Sequence, residues 1–394
     1  MQYTKMTNFL SNQKLKVLIT DPHIKGGGQI TYVCRLARGL RELGHKVYVG
    51  CRKNSVFIEF AEQFQYTPLN KFHFVGGIHP KKWIEDIKTL KEILLEIEPD
   101  IIHVNGSQDH WTTAMANQLL RRRFCIVRTR HNTYPLSNHI LNRWLNLKCT
   151  DYHIAVCELV RQNLINNNHF PEARICSIHN GVDTIEFEHN KEHREKARNE
   201  FGFKETDVVC GISARLSPAK GHIFLFKALQ RITTECPEIK ILVLGTGSLD
   251  SELKNLAIEL GLSDKIVFAG YRKDMAYCTQ SFDIAVLPSI DCDTSSFSLK
   301  EAMAEGKPVI ASNYGGLPEI INDGIEGRIV PAGTIEPLAQ AIKELAKNPA
   351  LRIEMGKKAQ QRAIQMFSVE QFVNKTLGAY SKALELHREN FTHR

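Results

Sequence analysis

Short apolar runs alternate with amphipathic helical periods twice over in this chain, and each round opens on a strand, a polar or glycine-bearing loop and a helix. Residues 14–21 (KLKVLITD) read as a strand that runs into Gly26, Gly27 and Gly28, after which apolar residues at 30, 33, 36, 37, 40 and 43 recur at helical spacing. Strands are expected again over 46–51, 99–105, 124–129 and 152–156, with an amphipathic helix over 83–97. A charge-crowded stretch over 186–200 follows, and the pattern restarts at 208–212 (VVCGI). Strands there are expected over 241–244, 266–268, 283–287 and 309–311, with helices over 223–233 and 250–260. Such alternation implies parallel sheets covered by helices on both faces. A chain of 394 residues is more than one core usually serves, so two α/β domains are expected, with the boundary near 180–205.

Open α/β sheets bind ligands beyond the carboxyl ends of their strands, so the loops there carry the functional reading. The Gly26–Gly28 run is not a G-x-G-x-x-G fingerprint; it is either a phosphate-approach loop or simply a tight turn. His131 follows the strand over 125–129, and its position alone singles it out, since a lone histidine is more often structural. In the second half Arg215 and Lys220 flank a loop between a strand and a helix, where two cations and free helix N–H groups would neutralise a diphosphate. Gly245, Gly247, the Tyr271-Arg272 pair and the Gly315-Gly316 turn stand at further strand ends.

Residues 287–312 (LPSIDCDTSSFSLKEAMAEGKPVIAS) read as a strand end, a polar loop with Asp291 and Asp293, a helix over 296–305 and another strand. Asp293 and Glu301 bracket the loop-to-helix junction, and the serines there cap the helix and let a ligand approach the backbone. Taken alone, the stretch is equally an ordinary capped helix with solvated acids.

Charge is uneven. Residues 1–150 carry 22 Lys+Arg against 11 Asp+Glu, whereas residues 201–394 carry 23 of each, so the formal excess of +8 belongs to the N-terminal half. That points either to an anionic partner, such as an acidic membrane face, or to a solvated basic surface. Residues 134–148, with Leu136, Ile140, Leu141, Trp144, Leu145 and Leu147 among Arg143 and Lys148, suit a membrane face or a buried packing face. The ten cysteines include no Cys-x-x-Cys pair, which favours reduced core thiols over disulfides or a zinc site. No apolar run reaches bilayer-spanning length, and the first fifteen residues hold Lys5 and Lys14 without a signal-peptide core, so a cytoplasmic protein is expected.

With Arg215-x4-Lys220 and Asp293-x7-Glu301 together, the chain resembles the retaining glycosyltransferases of family 4, also called glycosyl transferases group 1. Residues 26–28, His131, 180–183 and 315–319 extend the resemblance over nearly the whole chain. It implies the GT-B fold, two Rossmann-like doubly wound α/β domains: an acceptor-binding domain over 1–185 and a nucleotide-sugar-binding domain over 186–370 facing a central cleft, with a terminal helix over 371–394 crossing back to the first domain. By resemblance, Arg215 and Lys220 hold the diphosphate, Glu301 the ribose, and the first acid, usually Glu, falls on Asp293, with Asp291 as a possible substitute. Where the family usually reads Gly-Phe-Gly-Leu, this chain has Thr294, Ser295, Ser296 and Phe297. His131 would contact the donor sugar or reacting centre. Gly26, Gly27, Gly28, Gly245, Gly247, Tyr271, Arg272, Ser295, Ser296, Phe297, Ser298 and Leu299 are the expected substrate-binding residues.

The implied reaction moves a sugar from a nucleotide-diphosphate sugar to a glycan or lipid-linked acceptor in lipopolysaccharide or other cell-surface polysaccharide synthesis. No cofactor, no metal and no nucleic-acid partner are implied: Asp291 and Asp293 spell Asp-x-Asp, but protein cations would already neutralise the leaving group. A phosphorylase or sugar-nucleotide epimerase on the same fold, or a non-catalytic nucleotide-sugar-binding protein, are the alternative readings.

Overall fold

The structure is a computed structural model that describes residues 14–392; Lys5, in the segment expected to lack a signal-peptide core, lies outside them, as do the outermost residues of the expected first domain and terminal helix. The described chain divides into two compact units, one of residues 14–181 and 369–392 and the other of Val182–Ser368.

The first unit is built on strands β1 (Lys16–Thr20), β2 (Lys46–Arg52), β3 (Thr67–Phe72), β4 (Ile101–Val104), β5 (Cys125–Arg130), β6 (Tyr152–Ala155) and β7 (Ile175–Ser177). They form one sheet in the order β3-β2-β1-β4-β5-β6-β7, parallel throughout. Helices α1 (Gly28–Glu42), α2 (Pro80–Ile97), α3 (Ser107–Leu119) and α4 (Glu158–Asn168) connect the strands. β3 escaped the sequence reading because it sits at the sheet edge, half exposed and carrying Pro68, where a missing backbone donor is tolerated.

The second unit opens with α5 (Lys191–Glu200) and holds β8 (Val208–Ser213), α6 (His222–Ile232), β9 (Ile239–Leu244), α7 (Asp250–Glu259), β10 (Ile266–Gly270), β11 (Ile284–Leu287), α8 (Phe297–Ala304), β12 (Val309–Ser312), β13 (Gly327–Val330), α9 (Glu336–Lys347) and α10 (Pro349–Arg362). Its parallel sheet runs β10-β9-β8-β11-β12-β13. Successive residues of β9 feed opposite cores: Ile241 and Val243 pack with Ile212, Leu225 and Leu338, while Leu242 and Leu244 pack with Val209, Leu299 and Met303. This period of two is the strand pleat at work.

The terminal helix α11 (Val369–Thr392) belongs to the first unit. Its fully buried Tyr380 places the phenol oxygen 2.7 Å from His103 Nδ1 on β4, and its Phe372 meets the edge of Tyr32 on α1 with ring centroids 4.9 Å apart. Among the described residues, no helix is long and apolar enough to cross a membrane.

Candidate functional site

In each sheet the strand order reverses once, between β1 and β4 in the first unit and between β8 and β11 in the second. Crevices at such switch points are where this class of sheet takes ligands. The loops that follow β8 and β11 carry Arg215, Lys220, Asp291 and Asp293, so adjacent strands bring together residues far apart in sequence.

These loops are knitted by backbone hydrogen bonds. Ile290 N–H donates to the Ala219 carbonyl (2.8 Å), Leu216 N–H to the Thr246 carbonyl (3.1 Å) and Gly316 N–H to the Asp293 carbonyl (3.1 Å). The result is a continuous rim formed by the loops after β8, β9, β11 and β12. Gly245 and Gly247 serve it by permitting close backbone approach: a Cβ on either would lie 2.1 Å from the carbonyl oxygen of Ala214 or Leu216.

On this rim the Lys220 ammonium donates to Asp293 Oδ2 at 2.8 Å, and the Ser289 hydroxyl donates to the same oxygen at 2.5 Å. Asp293 is buried, whereas Arg215 is exposed and its guanidinium has no hydrogen-bond partner among the described residues. Asp291 is turned elsewhere: it is exposed and accepts from the Tyr314 phenol at 2.9 Å, and Cys292 between the two acids takes a left-handed φ of 50°. The two carboxylates of the literal Asp-x-Asp therefore have separate partners.

Helix α8 begins where the serines expected it to. Ser296 is the N-cap, its hydroxyl accepting from Leu299 N–H at 3.3 Å and lying 3.1 Å from the Ser298 hydroxyl. Ser295 accepts from the fully buried Lys300 ammonium at 2.6 Å, so its side chain braces the helix. Leu299 lies in the core, Phe297 is half-buried, and Glu301 is buried one turn along α8. Burial of Glu305, reinforced by Glu301, raises its carboxyl above the ordinary range, although a hydroxyl bond from Thr279 opposes this. Tyr271 is 67% exposed, and Arg272 is committed to Asp274 and Glu200, so the structure does not draw this pair to the Lys220–Asp293 contact.

In the first unit, Gly26 and Gly27 lie on an exposed loop after β1, where an added Cβ would meet no atom within 4 Å, and Gly28 starts α1. Asp21 organises this loop by accepting from His23 N–H (2.8 Å) and from the Gln29 amide (2.6 Å). His131 follows β5; its Nε2 lies 2.9 Å from Asn105 Oδ1, while the Asn105 amide donates to the Thr20 carbonyl. With that amide committed as a donor, Asn105 Oδ1 must accept, which puts the His131 proton on Nε2. Burial first, then the neighbouring Arg128, holds His131 well below the ordinary histidine range, so the ring is neutral. Tyr32 meets it edge-on at 4.7 Å. Ser289, Asn105 and Tyr314 escaped the sequence reading because each is an isolated polar residue whose relevance depends on a partner far along the chain.

The apolar segment over 134–148 divides. Leu145 is buried, while Tyr134, Ile140 and Leu141 are exposed, Ile140 by 80%. All ten cysteines are free and eight are buried, as core thiols should be. Cys125, Asp151 and His387 place donor atoms within 4.8 Å of one another, beside Arg122, which donates to Asp151 at 3.2 Å.

The Glycosyltransferase Family 4 model matches residues 26–186 and the Glycosyl transferases group 1 model matches residues 193–362. The chain is 25% identical over 386 residues to a glycosyltransferase of Methanocaldococcus jannaschii, covering 93% of this chain and 96% of that protein. It is 24% identical over 311 residues to the UDP-Gal:alpha-D-GlcNAc-diphosphoundecaprenol alpha-1,3-galactosyltransferase of Escherichia coli, covering 75% and 80%. The structure of HepE from Anabaena in complex with UDP superposes with a TM-score of 0.80 at 22% identity, covering 92% and 98%. Two parallel α/β sheets of this order, a terminal helix returned to the first of them and the two matched halves together mean that the chain belongs to glycosyltransferase family 4, with the GT-B fold.

Proposed function

We propose that this glycosyltransferase moves a sugar, with retention of anomeric configuration and without a metal, from a nucleotide-diphosphate sugar to a glycan or lipid-linked acceptor in cell-surface polysaccharide or lipopolysaccharide synthesis. The observation that carries the reading is the rim of the second unit, where Lys220 and Arg215 stand at a switch point close in sequence to the start of α6. Breaking a sugar–phosphate bond places negative charge on the departing diphosphate, and preorganised cations and N–H groups stabilise that charge. Arg215 and Lys220 take this role, Glu301 binds the ribose, and Asp293 lies toward the sugar. The acceptor is taken by the first unit, where the neutral His131 offers a hydrogen bond to a sugar hydroxyl. The E. coli relative is named for a nucleotide sugar and a diphospholipid acceptor, and HepE was solved with UDP, which agrees with this assignment.

A peripheral membrane contact through the first unit belongs to the same reading. Tyr134, Ile140 and Leu141 are exposed beside Arg143 and Lys148, a pairing of apolar and basic side chains suited to an anionic surface.

Nucleotide sugars screened by thermal shift, followed by transfer assays with the one that binds and NMR of the product anomer, test the proposal. Saturable donor binding lost in Glu301→Ala, EDTA-insensitive transfer and a retained anomer are expected. Sugar phosphate formed without an acceptor, an epimerised donor, or binding with no transfer would replace the proposal by one of its rivals.

A further inference from the structure

The first unit holds a partly open cavity of about 110 Å³ beside the sheet, lined among others by Arg128, Arg130, Trp111, Asn142, Asn146 and Phe170. On the same measure a single water needs only ~10–15 Å³, so the cavity has room for a polyatomic ligand group. Arg128 and Arg130 lie two apart on β5 and therefore share the face that looks toward α3 and residues 136–146.

Arg128 is the unusual member. It is only 7% exposed, its Nη1 is buried with no hydrogen-bond partner, and no carboxylate lies within ion-pair distance of it among the described residues. Asp109 is close enough to act on it through space, but Oδ2 of that carboxylate is committed to the Thr20 hydroxyl (2.8 Å) and Asn105 N–H (3.0 Å), and Oδ1, buried without a hydrogen-bond partner among the described residues, does not reach the guanidinium. The two histidines on the wall add no charge: His110 bonds the Thr150 hydroxyl, His153 bonds the Asn146 carbonyl, and burial keeps both neutral at ordinary pH. Three charged groups act on Arg128 through space: Arg130 beside it on β5, and the acids Asp109 and Asp21, neither of which reaches it as an ion pair. A buried guanidinium with unused donors is costly unless an anion completes it.

We propose that this cavity is an oxyanion pocket that receives the phosphate or carboxylate of the acceptor, with Arg128 as its anchoring donor and Arg130 at its mouth. Fork-like guanidinium donors fit such planar or tetrahedral oxygen sets. The wall over 136–146 is the same segment that exposes Ile140 and Leu141, which suits an acceptor whose anionic group joins a sugar to an apolar tail. The identification of the ligand as acceptor rests on the transferase reading, whereas the pocket itself does not.

The test is calorimetric titration of the full chain with inorganic phosphate and, separately, succinate, both in saturating UDP so that the diphosphate site is already filled. Saturable binding of either ion, weakened about tenfold or more in Arg128→Met, is expected; that is the scale of losing one charge-assisted donor. Which ion binds assigns the source of the oxyanion. Arg130→Gln, which leaves the buried position intact, is expected to weaken binding to a lesser extent and guards against an Arg128 variant that fails to fold. In transfer assays the Arg128 variant should raise the acceptor KM and leave the donor KM in place. No binding of either ion to the parent protein, or binding unchanged in both variants, overturns the pocket. Failure of UDP to bind the parent protein would instead overturn the donor reading and leave the ion titration, repeated without UDP, to decide the pocket.

Discussion

Lys220 Nζ lies 2.8 Å from Asp293 Oδ2, joining the loop after β8 to the loop after β11 across the switch point of the second sheet. The cation proposed for the donor diphosphate is thus already held by a buried carboxylate, which also takes the Ser289 hydroxyl. The pair is preorganised: the carboxylate holds the lysine at the rim.

Replacing one partner strands the other. Lys220→Met should lower transfer by about 10²–10³, the usual scale for losing one preorganised donor to a developing charge. It should also destabilise the second unit by roughly 1–3 kcal/mol, because Asp293 loses its ion-pair partner. Lys220→Met with Asp293→Asn should cost less stability than the sum of the single changes, as a double-mutant cycle of chemical denaturation would show.

Gly315 and Gly26 make a contrasting pair. Gly315 has a φ of +60°, and a Cβ there would lie 1.9 Å from the Asp293 carbonyl oxygen, so Gly315→Ala should cost about 2 kcal/mol or more and disturb Asp293. Gly26→Ala meets open space and should change stability by less than about 0.5 kcal/mol. If the glycine loop approaches a ligand, the Gly26 variant raises a KM without moving the thermal midpoint.

His222, at the start of α6, is 1% exposed, and neither ring nitrogen has a hydrogen-bond partner among the described residues. Burial first, then Lys220, lowers it to about 4 from 6.5. Between those values the unfolded chain binds the proton and the folded chain does not, so stability is full above about pH 6.5 and falls as pH drops toward 4. The loss is about 3 kcal/mol at roughly 1.4 kcal/mol per unit. His222→Leu should flatten that part of the profile, measured as thermal midpoint between pH 7 and pH 4.5.

Ile140→Asp with Leu141→Asp should reduce sedimentation with anionic vesicles several-fold while leaving donor binding unchanged, since both side chains are exposed and lie in the other unit from Lys220. Equal sedimentation of parent and variant would remove the membrane contact from the proposal.

The α/β class, the inner strands and the helices were legible because an apolar strand buried on both faces and an amphipathic helix leave different periods in the residues. The edge strand β3 was not, since a half-exposed strand containing Pro68 carries neither period. At the candidate site, the cap at Ser296 was readable from local chemistry, because a hydroxyl and the N–H three residues on are neighbours in any helix start. Arg272 shows the complementary case: its position at a strand end was legible, but its ion pairs with Asp274 and Glu200 were not, because Glu200 lies 72 residues away in the chain.

By itself, the sequence determined which segments are strands, which loops carry cations, glycines and acids, and to which family the chain belongs. Tertiary structure alone decided that Lys220 meets Asp293 rather than Asp291, that Ser295 serves Lys300, and that Arg128 is buried against a cavity. The physical reason is that strand order, unlike periodicity, is set by contacts between residues far apart in the chain. Placing β8 beside β11 makes neighbours of positions 73 residues apart, and no local pattern records that choice.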